Sequence, residues 1–193
     1  MKTVFIFHGT NGSPEGNWFP WLKKELEAKG CWVYVPRFPH PEEPSLSDWL
    51  EVLKNYEKDV IDEDTIFVGH SLGGLFLLRV LERLKKPARA AFFVATPVGI
   101  KPIRYYDSDL AFSGFDFNWM EIKRKAEYFA VYHSDNDPYV SLRNGIELAK
   151  QLGVTLKFVP KAGHINAESG FTRFDPILRD IEKSLEPRNQ TLW

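Results

Sequence analysis

One stretch of the sequence decides the fold, and it reads Ile66-Phe67-Val68-Gly69-His70-Ser71-Leu72-Gly73-Gly74-Leu75. Its first three residues form a short apolar run, which predicts a buried strand. Apolar residues at helical spacing from Leu75 to Leu84 predict a helix directly afterwards. Between them lies a Gly-x-Ser-x-Gly pattern, typical of a nucleophile elbow, in which a sharp strand-to-helix turn holds a serine hydroxyl clear of the sheet. We therefore expect Ser71 to be a nucleophile.

The same pattern has a second interpretation, in which small residues merely let the helix pack on the sheet. A chain with 13 glycines also produces such a pattern by chance now and then. Its position after a strand and before a helix favours the elbow. In an elbow the free N–H of Leu72, at the start of the helix, points toward the place where an oxyanion would form.

Composition limits the class of protein. The chain has 193 residues, of which 44% are hydrophobic and 26% charged, with a formal net charge of −1. These values suit one domain over residues 1–193, present as a monomer or weak homodimer, and disfavour a nucleic-acid or membrane-surface partner. The single cysteine, Cys31, allows no internal disulfide. Because the apolar run 4–7 is too short for a signal peptide and no stretch could span a bilayer, we expect a cytoplasmic protein.

Predicted strands and helices alternate along the rest of the chain. Six strands are predicted, and they cover about residues 3–7, 32–35, 66–68, 90–95, 127–133 and 155–159. Predicted helices lie between them, and a last helix covers about residues 176–185. Strands that alternate with helices favour a parallel sheet covered on both faces. The sequence thus predicts an α/β fold with a mostly parallel six-stranded sheet.

The loop after the first strand reads His8-Gly9-Thr10-Asn11-Gly12, and a glycine-bearing loop here could cradle the phosphates of a dinucleotide. The glycine spacing does not fit G-x-G-x-x-G, and the second strand runs into Pro36-Arg37 without an acidic residue. We therefore expect no cofactor. An oxyanion hole explains the loop better, with the backbone N–H of Thr10 complementing that of Leu72.

Residues 96–125 show no long periodic element but are rich in aromatic side chains. A loop of this length is usually functional, and its aromatic content argues against disorder. We interpret it as a small lid or pocket wall over Ser71. A side cluster on the edge of the domain explains it equally well. The candidate substrate contacts are Trp18, His70, Phe115 and Trp119, and the aromatic segment suggests a modest apolar acyl or alcohol group.

The candidate catalytic side chains follow the carboxyl ends of three predicted strands. The carboxyl ends of parallel strands share one edge of a sheet, where ligands bind. These ends carry Ser71, an acidic pair at Asp135 and Asp137, and His164, in the order nucleophile, acid, base. Among the five histidines, His164 alone follows the final strand, where its loop can bend back across that edge. Either aspartate could orient it: Asp137 lies on a rigid turn before a proline, whereas Asp135 could instead bind local backbone.

The chain resembles the YdeN-like serine hydrolases, a small α/β-hydrolase family that includes the retinoblastoma-binding protein hydrolase. The resemblance covers nearly the whole chain and rests on motifs that read His8-Gly9, Asn17-Trp18-Phe19-Pro20-Trp21-Leu22, Asp48-Trp49-Leu50, Gly69-His70-Ser71-Leu72-Gly73, Ser134-Asp135-Asn136-Asp137-Pro138 and Gly163-His164. It implies a three-layer α/β-hydrolase fold with a minimal lid, and a catalytic triad of Ser71, Asp137 and His164. The chain departs from the family after the histidine, where it has Ile165-Asn166 instead of an aromatic residue.

The expected function is a serine hydrolase that cleaves ester bonds, or alternatively amide bonds, of a small molecule through an acyl-enzyme. A non-catalytic binding protein on a hydrolase fold is the rival hypothesis. Metal-dependent hydrolysis is disfavoured because no H-E-x-x-H or C-x-x-C spacing occurs, so we expect no metal.

Overall fold

The computed structural model describes residues 2–57 and 60–186. Its strands are β1 (Thr3–Phe7), β2 (Trp32–Tyr34), β3 (Ile66–His70), β4 (Ala90–Val94), β5 (Phe129–His133) and β6 (Lys157–Phe158). Its helices are α1 (Phe19–Glu27), α2 (Leu46–Glu57), α3 (Leu72–Arg83), α4 (Tyr106–Ser113), α5 (Trp119–Ile122), α6 (Leu142–Leu152) and α7 (Asp175–Leu185), with a 3₁₀ turn at Ala167–Ser169. No helix in the described ranges is long and apolar enough to cross a bilayer.

The strands form one parallel sheet in the order β2-β1-β3-β4-β5-β6. The chain adds β2 on one side of β1 and then crosses to the other side to add β3. This reversal separates the connections after β1 and β3, and such a switch point opens a crevice at the carboxyl edge of an α/β sheet. In the register, Phe7 lies opposite Gly69 and His70 lies opposite Val94, so the strand ends are level at this edge.

Successive strand residues face opposite layers, because side chains alternate along a strand. Phe5, Phe67 and Phe93 belong to a core shared with the helices α2 to α6. Val68 and Phe92 belong to a second core shared with α1 and α7. Both faces of the sheet are therefore buried, which explains why the strands are continuous apolar runs in the sequence. The predicted three-layer fold is confirmed.

The structure corrects several predicted boundaries. Strand β5 begins at Phe129 rather than residue 127, and β6 is only Lys157–Phe158. The prediction missed α4, which lies inside the segment without evident periodicity. This helix buries only Asp109 and Phe112, so it lacks the repeating apolar stripe that reveals an amphipathic helix. It ends at Gly114, whose φ of 68° is the left-handed conformation common after a helix.

Candidate active site

Ser71 occupies the turn between β3 and α3 and has φ 55° and ψ −126°. A positive φ is strained for a residue with a side chain, and such strain persists only where the surroundings impose it. Here the N–H of Ser71 donates to the carbonyl of Val94 at 2.9 Å, and its carbonyl accepts from the N–H of Gly74 at 2.9 Å. The turn is also tight, since a Cβ atom on Gly69 would lie 2.5 Å from the Cα of Gly74. Helix and strand can therefore meet only through glycine at position 69.

The loop after β1 packs against this turn. A Cβ atom on Gly9 would lie 2.8 Å from the Cβ of Ser71 and 3.2 Å from the backbone nitrogen of Leu72. The next residue, Thr10, lines the cavity beside Ser71. Among the described residues, no acceptor receives a hydrogen bond from the N–H of Thr10 or Leu72. Two backbone donors thus remain available on loops that meet at the switch point.

His164 and Asp137 are in direct contact although they lie on the loops after β6 and β5. Nδ1 of His164 is 2.8 Å from Oδ2 of Asp137, whose side chain is fully buried. Oδ1 of Asp137 accepts hydrogen bonds from the N–H groups of Tyr139 at 2.8 Å and Val140 at 3.0 Å. Burial alone would raise the pKa of Asp137, but these hydrogen bonds and the nearby imidazole outweigh it and hold the pKa below its ordinary value. Asp137 is therefore an anion at neutral pH.

Asp135 has a different environment although it lies two residues away. Its carboxylate is exposed and accepts a hydrogen bond from the N–H of Lys161 at 2.7 Å. That bond joins the loop after β5 to the loop after β6, which also carries His164. Of the two acids left open by the local sequence, Asp137 is the one beside the imidazole.

Two side chains hold the His164 loop from behind. Nε2 of His70 donates to the carbonyl of His164 at 2.9 Å, and Nε1 of Trp18 donates to the carbonyl of Ile165 at 2.9 Å. Ile165 has φ 49°, a rare conformation for a β-branched residue, so the loop needs such support. Burial, with a further contribution from His164, lowers the pKa of His70 to about 3. A neutral His70 ring donates one N–H to this carbonyl and adds no charge next to His164.

Two other buried histidines, His8 and His133, form hydrogen bonds away from Ser71. Nε2 of His8 accepts from the N–H of Phe38 at 3.2 Å, and Nε2 of His133 donates to the carbonyl of Val140 at 2.9 Å. The ring of His133 approaches Asp137 only to 3.6 Å, from the side of the β5 core. His164, by contrast, lines a cavity that also contains Ser71.

This cavity has a volume of about 230 Å³ and opens at the carboxyl edge of the sheet. Ser71 lines it, and its hydroxyl forms no hydrogen bond with any described residue. The hydroxyl can therefore rotate toward a carbonyl group or an imidazole, as apo active sites often require before substrate closes the contact. Ser71 and His164 thus line one crevice, and Asp137 contacts the imidazole of His164.

Comparisons with known proteins identify the family of this chain. The family described as serine hydrolase matches residues 4–183. The chain belongs to this serine hydrolase family. It is 33% identical over 180 residues to YdeN of Bacillus subtilis (strain 168), covering 93% of this chain and 94% of YdeN. It is 26% identical to the serine hydrolase RBBP9 of Rattus norvegicus, covering 88% and 87% of the two chains.

The crystal structure of the B. subtilis ydeN product has a TM-score of 0.88 and 32% identity to this serine hydrolase, covering 95% of this chain and 98% of that one. The family resemblance expected from the motifs is thereby confirmed, and so is the α/β-hydrolase fold. The protein is a hydrolase. Within the part of the chain that the structure describes, no group of three or more His, Cys, Asp or Glu side chains could hold a metal ion.

Trp18 does not line the cavity, contrary to the sequence prediction. It is fully buried, and its ring packs edge-on against Phe19 and His70. Its indole N–H is used by the carbonyl of Ile165. The tryptophan thus lies behind the His164 loop, while Asn166 lines the cavity.

Phe115 and Trp119 also lie outside the cavity. Both pack onto the core on the α3 side of the sheet, Phe115 beside Tyr106 and Trp119 beside Phe117. Their part of segment 96–125 is a side cluster, whereas an earlier part walls the cavity. Of the four predicted substrate contacts, only His70 lines it.

Sequence reasoning missed several residues that line the cavity. They are Ile103, Tyr105, Asp109, Tyr139 and Glu168. Only the position of Tyr139, two residues after Asp137, could have indicated such a role. The wall combines the apolar side chains of Ile103 and Val140 with carboxyl, phenol and amide groups.

Proposed function

We propose that this serine hydrolase cleaves ester bonds of small substrates through a triad of Ser71, His164 and Asp137. The observation that carries the proposal is the 2.8 Å contact between Nδ1 of His164 and the buried carboxylate of Asp137, in a crevice shared with Ser71. A serine hydroxyl is a weak nucleophile until an imidazole accepts its proton. An ionised carboxylate on the far side fixes the tautomer of that imidazole and stabilises the imidazolium.

In the first step the Oγ of Ser71 attacks the ester carbonyl while Nε2 of His164 takes the hydroxyl proton. The tetrahedral intermediate then breaks its bond to the alcohol oxygen, which receives that proton from His164. Water attacks the acyl-enzyme with His164 again as base, and the carboxylic acid leaves as Ser71 regains its proton. Asp137 stays ionised throughout and orients the ring.

The N–H groups of Leu72 and Thr10 would bind the oxyanion. Support comes from the contact of Gly9 with both Ser71 and Leu72, which brings the two loops together. The N–H of Leu72, the first residue of α3, lies at the positive end of the helix dipole. Removing one such donor commonly costs on the order of 10²- to 10³-fold in turnover.

The test is covalent labelling with a fluorophosphonate, followed by mapping of the adduct and by assay with a short-chain chromogenic ester. We expect one adduct, on Ser71, and a loss of turnover in Ser71→Ala on the order of 10⁵-fold or more. Ser47→Ala, an exposed serine on α2, serves as the control and should behave as wild type. Labelling that persists in Ser71→Ala would reject the assignment. A protein that neither labels nor turns over any ester would instead be a binding protein on a hydrolase fold.

A further inference from the structure

Asp109 is a buried carboxyl on α4 in the wall of the cavity that contains Ser71 and His164. It is only 4% exposed, and its Oδ1 atom is buried without a hydrogen-bond partner among the described residues. The neighbouring Ser113 hydroxyl donates to the backbone carbonyl of Asp109 and not to its carboxylate. A buried carboxylate rarely lacks a hydrogen-bond partner, because removing a polar group from water without a replacement hydrogen bond destabilises the folded state. Within the described part of the chain, the carboxyl of Asp109 thus has no hydrogen-bond partner.

The charges around the cavity favour a cationic ligand. Among the described residues that line the cavity, two are acidic, Asp109 and Glu168, and none is lysine or arginine. Glu168, at the exposed rim, is already bound by the hydroxyl of Tyr139. Beside Asp109 an anionic substrate group would meet like charge, whereas a cation would meet a partner there.

We propose that Asp109 binds a protonated amine of the substrate, so that the preferred substrates are esters that carry an ammonium group. This inference rests on the proposed ester hydrolysis at Ser71. An ammonium N–H donates a charge-assisted hydrogen bond to a carboxylate, which is about twice as strong as a neutral one. An apolar group at the same place would leave the carboxyl buried and unpaired.

The ionisation of Asp109 is consistent with this role. Burial raises its pKa to about 7, so a substantial fraction is ionised at neutral pH even without a ligand. A cation within hydrogen-bonding distance favours the charged form further, because an opposite charge lowers the pKa of a carboxyl. A neutral hydroxyl would gain less, since it brings no compensating charge.

The experiment compares two esters of 4-nitrophenol that differ in one group. One is the butanoate, and in the other, the 3-aminopropanoate, an ammonium replaces the terminal methyl. We expect wild type to prefer the ammonium ester in kcat/KM by about 10- to 100-fold. Asp109→Asn should abolish most of that preference. Asp107→Asn, an exposed acid on the same helix outside the cavity, is the matched control and should keep the ratio within about twofold.

Binding of butylammonium chloride, measured by titration calorimetry, separates this inference from the proposed function. It should bind wild type and Ser71→Ala alike and bind Asp109→Asn at least about tenfold more weakly. If both esters are cleaved but their ratio is the same in Asp109→Asn, the inference is wrong while the hydrolase assignment stands. If no ester is cleaved, the hydrolase assignment fails, and butylammonium binding alone supports or overturns the role of Asp109.

Discussion

Two buried carboxyls adjoin the same crevice and differ in almost every other respect. Asp137, on the loop after β5, is contacted by Nδ1 of His164 and by the N–H groups of Tyr139 and Val140. Asp109, on α4, has no donor for its Oδ1 within the described part of the chain. Burial pushes both pKa values upward, yet the pKa of Asp137 lies below its ordinary value and that of Asp109 rises to about 7.

The difference shows that hydrogen-bond donors, rather than burial alone, decide the charge of a carboxyl inside this fold. Asp137 is ionised before any substrate arrives, which an imidazole-orienting acid requires. Oδ1 of Asp109 has no hydrogen-bond partner among the described residues, and in our proposal a ligand supplies one. Two carboxyls with pKa values driven apart by their surroundings commonly have different roles in one active site.

The largest predicted effect comes from removing the charge of Asp137. We predict that Asp137→Asn lowers kcat on the order of 10³- to 10⁴-fold, because a neutral amide no longer fixes the productive tautomer of His164. Asp135→Asn is the matched control, since Asp135 is exposed and an asparagine oxygen can still accept from Lys161. The measurement is steady-state kcat of wild type and of both variants. Similar losses in the two variants would mean that the contact with His164 does not set the rate.

The second prediction concerns stability and Asp109. The pKa of the Asp109 carboxyl is about 7 in the folded protein and about 3.9 in an unfolded chain. Its contribution to folding stability is therefore fully present at low pH and is lost as pH rises through 7. Asp109→Asn should therefore be more stable than wild type at pH 8, by roughly 2–4 kcal/mol, and by clearly less at pH 5.

Urea unfolding of both proteins at the two pH values measures this difference, and all other titrating groups cancel between the pair. Equal stability increments at pH 5 and pH 8 would show that Asp109 does not titrate abnormally. A stabilising substitution that also loses the ammonium preference would mark a site where binding is gained at the expense of stability.

The smallest predicted effect concerns two indole N–H groups, of which one donates a hydrogen bond and the other has no acceptor among the described residues. Nε1 of Trp18 donates to the carbonyl of Ile165, beside His164, whereas the buried Nε1 of Trp21 has no partner among the described residues. Trp18→Phe should lower kcat about tenfold with little change in KM, since a net hydrogen bond is worth about 1 kcal/mol and the His164 loop would shift. Trp21→Phe should leave kcat within about twofold of wild type. A loss confined to KM in Trp18→Phe would argue for substrate contact instead.

The sequence by itself determined the parts of this protein that depend on local pattern. The apolar run before Ser71, the glycines around it and the order of Ser71, Asp137 and His164 along the chain predicted a parallel sheet with a nucleophile turn. These features can be read from the sequence because a strand buried on both faces is a continuous apolar run and a tight turn demands glycine. The family motifs then pointed to the same edge of the sheet.

Only the tertiary structure decided which neighbours each side chain meets. Asp135 and Asp137 are nearly equivalent in sequence, but the loop directs one to the N–H of Lys161 and the other to His164. The aromatic residues Trp18 and Phe115 pack behind or beside the crevice, and the inconspicuous Asp109 lies in its wall. Such contacts join residues far apart in the chain, and their geometry follows from how whole layers pack. No local pattern carries that information.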